Sequence, residues 1–238
     1  MSGISLVAAF MLAASAARAE TIAPFSGSAP GGNLPAGWSE RHVARAPPPR
    51  AQLVEDGAAT VLELASEGAA GAVVHPVSID PAAMPWLSWR WKVDRVVASA
   101  QLERRDGDDF AARVYVFFDL SLDELPFSTR WKIRIARLLY GESVPAAALC
   151  YAWDNTHAPG TTAWNAYTDR VRMIVLQSGN GNAGRWIEER RDIAADFRAA
   201  FGTGPVPRVS GIAAGNDSDQ TGERVVARFG DFRFEAAR

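Results

Sequence analysis

The property that most restricts what this chain can fold into is the alternation of apolar and polar residues, in short runs separated by turn residues. In Leu87-Ser88-Trp89-Arg90-Trp91-Lys92-Val93 every odd position is apolar, while Ser88, Arg90 and Lys92 point the other way. Successive side chains of a strand leave opposite faces of a sheet, so the run predicts a strand with one buried face. Thr60 to Leu64, Ala72 to His75 (stopped by Pro76), Phe110 to Phe118, Ala146 to Trp153 and Arg172 to Ser178 read as strands too, as do Arg185 to Asp192, Arg208 to Gly215 and Arg224 to Phe234. Gly179-Asn180-Gly181-Asn182-Ala183-Gly184 supplies strong turn chemistry between two of them. Two segments have helical spacing instead. Trp131, Ile135, Leu138 and Leu139 form one stripe that stops at Gly141; Ile193 to Phe201 has Asp192 as N-cap and Gly202 just past its end. Helices do not recur between strands as a βαβ architecture requires. The expected fold is all-β: an antiparallel β-sandwich of jelly-roll type with one or two short helices.

The N-terminus adds an expectation about location. Ile4 to Ala14 is an apolar run too short to span a bilayer, and Ala17-Arg18-Ala19 is an A-x-A cleavage site. Residues 1–19 therefore read as a signal peptide, which places the mature protein in the periplasm or outside the cell. No later run is long and apolar enough to predict a membrane span after cleavage. Residues 20–50 are an extended Pro/Gly-rich segment ending in Ala46-Pro47-Pro48-Pro49-Arg50, and residues 51–238 form the β-sandwich domain. With 25 Lys and Arg against 27 Asp and Glu, the balance argues against a nucleic-acid partner. Cys150 is the one cysteine, which excludes an intrachain disulfide and a Cys-rich zinc site, and three scattered histidines exclude a His-rich one.

Several polar and aromatic residues are candidates for a site. Arg90 and Lys92 share a strand face, as do Arg113 and Tyr115, and Tyr151 and Trp153. If those faces coincide, they form an aromatic-lined polar platform for sugar rings, with Tyr115, Tyr151 and Trp153 stacking and Arg90, Lys92, Asp109, Arg113 and Asp217 binding hydroxyls or acidic groups. The same aromatics can equally fill the core. Asp217-Ser218-Asp219-Gln220-Thr221-Gly222 matches the first half of an EF-hand loop. Arg228 stands where the closing Glu belongs and strands flank the segment, so an EF-hand is excluded. What remains is a hairpin in which Asp217 and Asp219 hold a structural Ca²⁺, bind ligand, or satisfy their own backbone. Glu188 and Glu189 are adjacent on a strand and face opposite sides. His157 lies in a loop with no partner evident from the sequence.

The motifs taken in order resemble a bacterial family of secreted proteins, domain of unknown function 3047. The resemblance runs through Trp89-Arg90-Trp91-Lys92-Val93, Gly107 to Val116, Tyr151-Ala152-Trp153, Met173 to Gly179, Trp186 to Asp192, Phe201-Gly202 and Gly211 to Gly222, and it closes on Phe229-Gly230-Asp231. It covers roughly residues 34 to 235. Where the family has Asp-Thr-Asp-Asn-Thr-Gly, this chain keeps both carboxylates as Asp217 and Asp219, and its segment Leu122 to Gly141 is longer than usual. The resemblance implies export and a β-sandwich, and it supplies no activity. The expected function is non-catalytic recognition of a glycan or cell-envelope polysaccharide, an acidic one given the cations. The alternatives are a polysaccharide lyase or glycoside hydrolase on the same scaffold, with Arg113 or Lys92 neutralising a substrate carboxylate, and a structural envelope protein.

Overall fold

A computed structural model describes residues 22–42, 46–120 and 147–237 of the chain. The expected signal peptide and the stripe from Trp131 to Leu139 lie outside the described residues. Among those residues there are thirteen strands: β1 (Ser39–His42), β2 (Arg50–Asp56), β3 (Ala59–Glu67), β4 (Ala70–Ile79), β5 (Trp86–Val93), β6 (Phe110–Phe118), β7 (Ala147–Asp154), β8 (Thr162–Asn165), β9 (Thr168–Ser178), β10 (Ile187–Asp192), β11 (Val209–Asp217), β12 (Arg224–Phe229) and β13 (Arg233–Glu235). One helix, α1, covers Ile193–Phe201.

The strands form two sheets packed face to face, a β-sandwich as the alternation requires. One sheet has the order β1-β4-β11-β6-β7-β9-β8; the other runs β10-β5-β12-β3-β2, with β13 also paired to β5. All pairs are antiparallel except β7 and β9, which run parallel because β9 enters between β7 and the β8 hairpin arm. β5 follows its sequence pattern throughout, with Leu87, Trp89, Trp91 and Val93 buried and the alternate positions partly exposed. Ala112, Val114, Val116 and Phe118 of β6 and Leu149, Tyr151 and Trp153 of β7 meet them in the core. The rings interlock: Trp89 lies 5.3 Å from Tyr151, and Trp91 5.7 Å from Trp153.

α1 begins as its sequence predicts. The Asp192 carboxylate accepts the Ala195 N–H at 2.9 Å, and Gly202 ends the helix by donating its N–H to the Arg198 carbonyl. Ile193, Ala194 and Phe197 turn inward, with Phe197 4.5 Å from Phe118, so α1 closes the gap between the edge strand β10 of one sheet and β8 and β9 of the other.

Other elements depart from the expectation. β4 does not stop at Pro76. It runs on to Ile79, and the register against β11 shifts next to the proline, where a ladder hydrogen bond is missing. The run from Arg224 to Phe234 is two strands broken at Gly230 and Asp231. The described part of segment 20–50 joins the sandwich: Phe25 and Trp38 are buried with ring centroids 4.7 Å apart, and β1 adds an edge strand beside β4.

Candidate functional site

The eight residues expected to share one platform lie on three separate surfaces. Tyr151 and Trp153 are buried between the sheets, so they are core residues and unavailable to a ligand. Antiparallel partners place side chains on the same face, and Tyr151 is opposite Val114, not Tyr115. The Tyr151 hydroxyl donates to the Asp196 carboxylate at 2.8 Å, and the Trp153 indole N–H donates to the Gly179 carbonyl.

Arg113 and Tyr115 occupy the outer face of the seven-stranded sheet in a closed ionic cluster. The Arg113 side chain is 3% exposed. Its Nε donates to Asp217 at 3.2 Å, its Nη1 to Asp108 and to the Tyr115 hydroxyl at 3.1 Å, and its Nη2 to Asp217 and the Asp108 carbonyl. Burial alone would lower Arg113, but the adjacent Asp108 and Asp217 carboxylates keep it well above its ordinary value. Tyr115 stacks on Phe117 and is raised well above its usual value by burial. Beside it, burial pushes the Cys150 thiol up to about 12.

Asp109, Asp217 and Asp219 converge, each offering an oxygen within 4.8 Å of the others. All three are engaged: Asp109 accepts the backbone N–H groups of Gln220 and Thr221, Asp217 accepts Arg113 and the Phe110 N–H, and Asp219 accepts the Gln220 side-chain amide. Asp219 is the most exposed of the three, and these bonds tie the segment that follows β11 to the start of β6. Arg113, Tyr115, Asp109 and Asp217 therefore direct their polar groups at one another and at neighbouring backbone.

Arg90 and Lys92 take a different position, on the outer face of the six-stranded sheet. Lys92 pairs with Asp56, which also binds Arg228 and the Trp186 indole N–H. Burial would raise Asp56, but the Lys92, Arg228 and Trp186 donors pull it down to about 2. Arg90 is different: its guanidinium lies 4.6 Å over the Trp186 ring and, among the described residues, makes neither a hydrogen bond nor an ion pair.

In front of Arg90 is an open groove of about 650 Å³. Its floor is β5. One wall is β10, with Glu188 and Arg190, and the other is Gly230, Asp231 and β13, with Arg233 and Glu235. Arg190 pairs with Glu235 at 3.2 Å and lies 3.9 Å over the Trp86 ring, while Asp231 accepts the Ser26 N–H and hydroxyl. Among the described residues, the side chains of Arg90, Arg233 and Glu188 make no hydrogen bond or ion pair. From Trp86 to Lys92 this strip spans ~20 Å at the usual rise per strand residue. Gly230 keeps it open: a Cβ there would sit 2.6 Å from the Arg90 side chain. Sequence reasoning found Arg90 and missed Trp86, Trp186, Arg190 and Arg233. Arg190 and Arg233 belong to other strands and Trp186 directly precedes β10, so strand pairing alone brings them to β5.

A smaller cavity of about 330 Å³ lies on the opposite side of β10, beneath α1. Glu189, expected to face away from Glu188, does so. Its Oε1 accepts the Gln177 amide at 2.8 Å and the Trp91 indole N–H at 3.3 Å. Burial raises the Glu189 carboxyl above its usual value. Elsewhere, Asp154 at the end of β7 is fully buried and holds His157 Nδ1 at 3.0 Å, giving that loop histidine the partner its sequence did not reveal.

The chain belongs to the family described as protein of unknown function (DUF3047), whose model matches residues 36–233. No curated protein matches the sequence. Solved structures of similar fold include a family 12 glycoside hydrolase at 7% identity and TM-score 0.48, covering 87% of this chain and 96% of that one. Another is the xyloglucanase domain of NopAA from Sinorhizobium fredii, in complex with cellobiose, at 8% identity, TM-score 0.48 and 86% and 95% coverage. A third is the catalytic domain of Humicola grisea Cel12A with a soaked thio-cellotetraose, at 11% identity, TM-score 0.44 and 84% and 93% coverage. No helix among the described residues is long and apolar enough to cross a membrane.

Proposed function

We propose that this protein is an exported binder of an acidic polysaccharide, which it holds along the groove over β5. The observation that carries the reading is the groove's free charge. Arg90 and Arg233 line it without carboxylate partners among the described residues, and Glu188 and Asp231 are the anions beside them that pair with no cation there. An open, strip-like groove suits a polymer, which enters from the side, better than a small molecule that must be enclosed. Trp86 and Trp186, each already covered by an arginine, fix those guanidinium planes at the two ends of the strip. The carboxylates of an acidic sugar then meet Arg90 and Arg233, and its hydroxyls meet Glu188, Asp231 and Ser88.

Calorimetric titration with polygalacturonate, alginate and neutral dextran tests this. The acidic polymers bind and dextran does not. A charge-assisted hydrogen bond contributes ~1.5–3 kcal/mol, so Arg90→Ala weakens binding by roughly 10- to 100-fold. Equal affinity for dextran, or full affinity in Arg90→Ala, would contradict the proposal. Chain-length analysis of the same mixtures separates a binder, which leaves the polymer intact, from a lyase or hydrolase. Export rests on residues 1–19, and the intact mass of the mature protein should correspond to a chain starting at Glu20.

A further inference from the structure

β10 presents alternate side chains to two different hollows. Glu188 and Arg190 line the open groove, Arg191 lines the cavity under α1, and Glu189 borders both. The cavity has an apolar floor, made by Ile174 and Leu176 of β9 with Ala199 and Ala200 of α1, and polar groups around it. Those polar groups are not equivalent. Arg191 is cancelled by Asp196, which it grips through Nη2 at 2.6 Å and Nε at 3.0 Å. Arg172 has no such partner: it donates to the Thr162 hydroxyl at 2.6 Å and lies 4.8 Å over the Trp164 ring, and no carboxylate among the described residues pairs with it. Among the described residues Glu189 receives only neutral donors, both on Oε1, and its Oε2 has no partner.

We infer that this cavity is a second binding site, distinct from the groove, and that it takes a single sugar acid. Its volume lies at the small end of ligand pockets, which fits one ring rather than a polymer. The ligand carboxylate pairs with Arg172, the one uncompensated cation. The C–H face of the ring lies on Ile174, Leu176 and Ala200, and its hydroxyls reach Glu189 Oε2 and the free edge of Arg191. Trp164, 37% exposed and held between Arg172 and Phe201, fixes the guanidinium at the entrance.

Titration of the full chain with D-glucuronate, with D-glucose as the neutral control, tests the assignment. Glucuronate binds and glucose does not. Arg172→Gln lowers glucuronate affinity at least about tenfold, as expected for a lost charge-assisted bond, while Arg90→Ala leaves it unchanged. Ala200→Leu, which fills the cavity from α1 and removes no charge, also abolishes binding. Absence of glucuronate binding, equal binding of glucose, or a loss in Arg90→Ala but not in Arg172→Gln would overturn the inference. The last result would move the sugar acid to the groove and leave the groove proposal standing.

Discussion

Replacing Arg113 with methionine should unfold this protein far more readily while leaving its groove untouched. The side chain is almost wholly buried and its donors serve two carboxylates, a carbonyl and a phenol. Methionine keeps much of the volume but no charge. Asp217 then retains the Phe110 N–H and Asp108 retains the Asn165 amide, yet both carboxylates lose their cation. Removing one partner of a buried ion pair costs ~3–5 kcal/mol, because the remaining charge stays desolvated. For a chain of this length each kcal/mol lowers the melting temperature by ~2–4 °C, so the expected drop is ~6–20 °C. Urea unfolding followed by tryptophan fluorescence measures it. Adding Asp217→Asn to Arg113→Met removes one stranded charge, and the double variant should recover ~1–3 kcal/mol relative to the sum of the singles. A loss below ~1 kcal/mol for Arg113→Met would refute the buried-cluster reasoning, since that is the size of an exposed pair. A normal melting curve combined with lost polysaccharide binding would restore Arg113 to a ligand site.

Three further outcomes are expected. Because burial pushes Cys150 up to about 12, maleimide should leave the native protein unlabelled and react once urea unfolds it; rapid native labelling would place the thiol at the surface. Asp56 sits near 2 in the folded protein, below its unfolded value, so its stabilisation is present above about pH 4 and is lost as pH falls towards 2. Asp56→Asn should therefore cost ~1 kcal/mol or less at pH 7 and a smaller amount at pH 2, where the folded carboxyl is half protonated, and an equal cost at both would contradict the linkage. Gly230→Ala needs no unusual backbone angle but drives a Cβ against Arg90, so it should weaken polysaccharide binding with little change in melting temperature; unchanged affinity would mean that Arg90 does not touch the ligand.

The strands were legible where one sheet face is apolar and the other is not. β5 alternates cleanly because its outer residues, Ser88, Arg90 and Lys92, stay polar at the surface. β7 gave its existence but not its orientation. All eight of its residues are buried, so alternation could not distinguish the core face, with Tyr151 and Trp153, from the face that Cys150 shares with Tyr115. That ambiguity produced a platform of three residue pairs that occupy three surfaces. β2 was missed because only Leu53 is fully buried along it, which leaves an edge strand almost no apolar signal. Asp217 to Gly222 was expected as a hairpin but joins two sheets, β11 lying in one and β12 in the other; the cation of Asp217 is Arg113, more than a hundred residues away in sequence, and no local pattern reports such a partner. Arg90 was found on its own strand. The rest of the groove depends on the register that sets Glu188 opposite Arg90 and Arg233 opposite Ser88.

The central claim is that ligand lies on the outer face of the six-stranded sheet. Hydrogen exchange of the full chain with and without polygalacturonate tests it most directly. Polymer on that face should add protection in residues 86–93, 186–190 and 230–235, with none in β6. Protection confined to Phe110–Phe118 and the connection from Asp217 to Gly222, or no ligand-dependent change at saturating polymer, would contradict it.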